Sequence, residues 1–120
     1  MQSKIKNEYG TIAIENEVIS RIAGLAAMEC YGVVGMAAKS IRDGFIYLLR
    51  LESLSKGVDL ANLENGELVI GLHIIVDYGT NLAAIADTLQ SNVRYAVEKS
   101  VGMHVREVNI YIESVRAEER

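Results

Sequence analysis

The chain has 120 residues, half of them apolar, and its 16 acidic and 12 basic side chains give a formal charge of −4. That length and apolar fraction suit one domain with its own core, while the acidic balance does not suit bulk phosphate binding, which depends on clustered lysine and arginine. Cys30 is the only cysteine, so no internal disulfide can form and a reducing, cytoplasmic compartment is favoured.

Residues 1–9 are polar and read as a loosely attached N-terminal arm, without the apolar stretch of a signal peptide. Residues 10–14 alternate as a short strand with Ile12 and Ile14 inward. Glu15 or Asn16 can start a helix whose apolar stripe is Val18, Ile22, Leu25 and Ala26, widened by Ile19 and Ala23. Its small residues, Ala23, Gly24, Ala26 and Ala27, would let it sit close to a neighbour, and Gly32 ends it. Residues 33–36 read as a very short strand or extended connection.

Between positions 40 and 54, Ser40 could cap a second helix carrying Ile41, Phe45, Leu48, Leu49 and Leu51. Its default role is core packing. The functional reading is a helix that enters a groove or a membrane surface through Phe45, Leu48 and Leu49, with Arg42, Arg50 and Lys56 near acidic groups. Residues 57–63 read as a strand, and Asn65-Gly66 signals a type I′ hairpin into the next one.

From Glu67 onward the pattern is clearest. Leu68, Ile70, Leu72, Ile74 and Val76 alternate with polar or small residues, a period of two. After residues 78–81 the period lengthens: Leu82, Ile85, Ala86, Leu89, Val93, Ala96 and Val97 form one helical stripe, and Gly102 supplies the stop. Val108, Ile110 and Ile112 resume the alternation. Strand, helix of roughly 20 residues and strand make a parallel βαβ crossover. No run approaches the roughly 18 apolar residues needed to span a bilayer. The whole predicts an α/β (α+β) single domain with a mixed sheet in β-α-β-α-β-β-α-β order, its helices packed on one sheet face. Residues 10–116 form the domain, and residues 117–120 a charged tail.

The alternation gives the sheet a second, polar face with Asp59, Glu67, His73, Asp77, Glu107, Asn109, Tyr111 and Glu113. Its default role is to face water. The sharper reading is a partner or self-association surface, with His73, Asn109, Tyr111 and Glu113 as candidate contacts, because Val69, Ile75 and Tyr111 lie among the polar residues. His73 and His104 lack metal-ligand spacing and a companion catalytic group. Cys30 closes a helix, where the dipole raises a thiol pKa and disfavours a nucleophile. Gly32-Val33-Val34-Gly35 matches the Gly-x-x-Gly of KH domains, but the intervening residues are apolar and no basic residue falls between positions 22 and 38. No phosphate loop, dinucleotide fingerprint or catalytic acid pair is present, so the expectation is a non-enzyme without cofactor or metal.

These residues resemble a known family. Residues 9–14, followed by Glu17-Val18-Ile19 and Ile22-Ala23, look like the opening of the alkaline shock protein (Gls-type general stress) family of Gram-positive bacteria. Residues 30–36 resemble its Gly-Val turn, and residues 74–79 and 108–112 its two central strands. Small size and Asp43-Gly44 resemble the YloU-like branch in particular. The resemblance implies a cytoplasmic, non-enzymatic module of envelope stress response or homeostasis. It implies self-association and a partner: a membrane-anchored envelope protein, or an enzyme of lipid or fatty-acid metabolism. A KH-like single-stranded RNA binder and a lipid-linked regulator are the alternatives; DNA is excluded, and contact with the membrane would be indirect.

Overall fold

The computed structural model describes residues 2–39 and 46–117. Its elements in chain order are β1 (Gln2–Asn7), β2 (Gly10–Glu15), α1 (Asn16–Met28), β3 (Val33–Lys39), β4 (Ile46–Leu48), a 3₁₀ helix (Leu51–Gly57), β5 (Val58–Asn62), β6 (Leu68–Asp77), α2 (Leu82–Val101) and β7 (Val105–Arg116). The fold is the mixed α+β domain expected, with helices on one face of a mixed sheet.

β6 is the centre of that sheet. β7 pairs with it in parallel along its whole length, from Leu68↔Val105 to Asp77↔Arg116. The opposite edge is shared end to end by two antiparallel strands: β5 takes Leu68 to Leu72 and β3 takes Ile74 to Val76. β4 extends the sheet beyond β3. On the helix side Leu68, Ile70, Leu72, Ile74 and Val76 are all fully buried, against Ile19, Ala23 and Ala27 of α1 and Ile85, Leu89, Val93 and Val97 of α2. Each such side chain contributes roughly 1.5–3 kcal/mol by leaving water, so this one strand supplies much of the core energy.

The βαβ unit matches its sequence signature. Asn81 caps α2, its side-chain oxygen accepting from the Ala84 amide at 3.0 Å, and Gly102 ends it in the left-handed region at φ 82°. The β5–β6 hairpin also forms, but not by a type I′ turn. Only Gly66 has positive φ there, and its amide donates to the Leu63 carbonyl at 2.9 Å. A single left-handed glycine closing the loop is the hairpin geometry with one extra residue.

Other local expectations change. The segment expected to be frayed forms β1, which pairs antiparallel with β2 as a separate two-stranded ribbon, from Gln2↔Glu15 to Asn7↔Gly10. Ile12 is consequently 49% exposed rather than inward. The base of the ribbon is tied down by Ser3, Asn16 and Asn62. Ser3 Oγ donates to Asn16 at 3.2 Å, Asn16 to Asn62 at 3.1 Å, and Asn62 back to Ser3. In α1 the inward face is Ile19, Ser20, Ala23, Gly24 and Ala27, whereas Val18 and Leu25 are exposed. Close approach decides this: a Cβ on Gly24 would lie 3.2 Å from that of Leu54, so only small residues fit beneath the helix. Residues 33–39 make a full strand rather than a short link. The expected second helix is absent over its described part. Residues 46–48 are a strand, and the 3₁₀ helix follows with Leu54 fully buried and Leu51 exposed.

Candidate functional site

The polar sheet face gathers one cluster from three strands. Asp59 lies on β5, His73 on β6, and Tyr111 and Glu113 on β7. The parallel register sets Tyr111 directly opposite His73, and the two rings stack with centroids 4.8 Å apart and planes inclined by 15°. Glu113 reaches His73 because of a bulge: the ladder steps from Ile74↔Ile112 to Ile75↔Ser114, leaving Glu113 as the extra residue. Glu113 Oε2 is 2.6 Å from Nδ1 of the imidazole, and Asp59 Oδ2 is 2.7 Å from Nε2.

Gly71 makes the platform possible. A Cβ there would sit 3.3 Å from the Tyr111 ring and 3.4 Å from the Asp59 Cβ. The glycine thus leaves the space over which Tyr111 and Asp59 close on the sheet. Beside the cluster is a hollow of about 250 Å³ bordered by Ala37, Ala38 and Lys56 as well as Asp59, His73 and Glu113.

With an acceptor on each ring nitrogen, the imidazolium satisfies both contacts by donating twice. Burial, the largest single influence, pulls the pKa of His73 downward. The hydrogen bonds to Asp59 and Glu113, with their charges, together outweigh it, so His73 titrates above its ordinary 6.5. The same geometry opposes metal binding, since the two carboxylates sit on opposite nitrogens and do not converge on one point. No group of three or more His, Cys, Asp or Glu side chains among the described residues is placed to hold an ion.

The remaining candidates are dispersed. Asn109 pairs with Gly71 and lines a different hollow, between α2 and β7. Leu48 lies over Gly35 and Leu49 over Gly57, and Arg50 is exposed. Arg42 and Phe45 lie outside the described residues. His104 is held between Glu98 at 2.9 Å and Glu67 at 3.3 Å, on the far side of α2's C-terminus. Gly35 is buried within β3, a position where a Cβ would meet Leu48 at 2.6 Å, so residues 32–35 are not the open loop of a KH domain. Sequence reading did not connect Asp59 or Lys56 with His73. It also passed over Tyr31 and Tyr78, exposed beside Arg116 around a hollow at the carboxyl ends of β6 and β7.

A model of the alkaline shock protein 23 family, described by a cell envelope-related function, matches residues 4–117. The chain belongs to this family. It is 44% identical over 117 residues to the protein YloU of Bacillus subtilis (strain 168), covering 97% of each chain. It is 28% identical over 107 residues to the YqhY protein of the same organism, covering 89% of this chain and 78% of that one. A stress response regulator gls24 homolog of Streptococcus pyogenes is 26% identical over 113 residues, and the match spans 92% of this chain and 62% of that protein. Among solved structures, a variant of the MamM CTD aligns at a TM-score of 0.50 and 15% identity, over 88% of this chain and all of the other, a likeness of fold alone. A general role in the envelope and in stress follows from the family. No helix among the described residues is long and apolar enough to cross a membrane.

Proposed function

We propose that this family member is a non-enzymatic interaction module of the envelope stress response or of envelope homeostasis. It works in the cytoplasm, self-associates, and engages a membrane-anchored or soluble partner through the outer sheet face. The state of His73 carries the reading. A histidine with both nitrogens occupied by carboxylates and a raised pKa is a cation at neutral pH with no lone pair for base catalysis. What the arrangement does supply is a fixed aromatic ring, Tyr111, 47% exposed and braced from below. Rigid aromatic side chains at the centre of a polar patch are typical interface anchors. The RNA-binding alternative is not favoured, because its Gly-x-x-Gly has no open loop here.

The test is capture from the parent cells with tagged wild type and Tyr111→Ala, each checked for native circular dichroism. A membrane-anchored or soluble protein recovered stoichiometrically with wild type and lost with the variant supports the proposal. Equal recovery with both removes the outer face from the account.

A further inference from the structure

We propose that the outer edge of β2 pairs antiparallel with the same edge of a second copy, joining two ribbons into one four-stranded sheet. This rests on the self-association proposed above and names where it occurs. An isolated two-stranded ribbon is marginal in water, because neither strand has a second neighbour and little apolar surface is covered. Here the ribbon is separate from the main sheet, and residues 10–13 of β2 are all exposed. The unpaired amides and carbonyls of such an edge are matched by another extended strand.

The other described edges are blunted. The carbonyls of Arg106 and Val108 on β7 already accept from Arg94 at 3.2 Å and Gln90 at 3.1 Å, across the edge that β6 does not use. Bulges at Arg106 and Glu113 further break that edge. β1 carries Lys4 and Lys6, and two-fold registers centred on Lys4, Ile5 or Lys6 each set lysine opposite lysine. β2 alone of the ribbon has no charge from Gly10 to Ile14.

That composition selects the occupant as well as the edge. A two-fold register centred on Ala13 places Ile12 against the second copy's Ile14 on one face and Thr11 against its Glu15 on the other. No like charges meet, and the exposed Ile12 gains a β-branched neighbour. The pair is isologous and therefore closes at two copies.

The experiment is sedimentation velocity of the full chain across a concentration series, for wild type, Ile12→Lys and Ala13→Cys. The expected result is a wild-type dimer, at least a tenfold weaker one for Ile12→Lys, and a disulfide-linked dimer for Ala13→Cys under mild oxidation. Cα atoms facing across such a pair lie within disulfide range, and Cys30 is buried and does not compete. A wild-type dimer that Ile12→Lys leaves unchanged, with no cross-link at position 13, overturns the β2 edge and leaves self-association standing. Open-ended polymers in place of a dimer overturn the two-fold register. A strictly monomeric wild type overturns self-association itself.

Discussion

Replacing His73 by Asn removes the one cation that holds Asp59 and Glu113 beside each other, and its effect on stability must depend on pH. Glu113 is 30% exposed in its side chain and His73 27%, so their ion pair at 2.6 Å is partly screened and contributes about 1 kcal/mol. Asp59 is 72% exposed and its pair contributes less, about 0.5 kcal/mol, which brings the expected loss to about 1–2 kcal/mol. The folded-state pKa of His73 lies above the unfolded value of 6.5. The stabilisation is therefore complete below that pH, provided the carboxylates stay ionised, and disappears as pH rises through the folded value. Urea unfolding of wild type and His73→Asn at about pH 6, 7, 8 and 9 reads the difference directly. The gap between the two proteins should be widest at the acidic end and close towards the alkaline one. A gap that is constant across the series, or that widens with pH, would refute the doubly bonded imidazolium.

Three further outcomes follow from packing and backbone geometry. Leu72→Ala, at a fully buried position on the central strand, should cost about 2–5 kcal/mol in chemical denaturation. Gly102→Ala meets no steric obstacle yet must adopt φ near 82°, so it should lower stability by about 1 kcal/mol, visible as a lower thermal midpoint. Asn62→Ala opens the hydrogen-bonded triangle at the base of the ribbon. It should cost about 1 kcal/mol and raise amide exchange in β1 and β2, leaving β6 protected.

Legibility varied with how far each element's fate was decided within itself. The β6–α2–β7 unit declares itself because a buried strand and a long helix each impose their own period on a dozen or more side chains. β1 has only Ile5 as an apolar residue, so a strand in a ribbon with two wet faces leaves almost no period to detect. The stripe of α1 was displaced because its larger residues, Val18 and Leu25, suggested an inward face that Gly24 against Leu54 actually determines. In the site, alternation correctly placed Asp59, His73, Tyr111 and Glu113 on one face. Their union depends on strand neighbours far apart in sequence and on one bulged residue, neither of which leaves a local trace.

The pairing of β6 has a consequence for how the chain is made. One edge is filled by strands on either side of it in early sequence, β3 and β5, but the other waits for β7. Until residues 105–116 have left the ribosome, the most apolar strand of the protein carries an open parallel-type edge and an incompletely covered face. Nascent chains stalled between α2 and β7 are therefore the species most prone to aggregate or to need a chaperone.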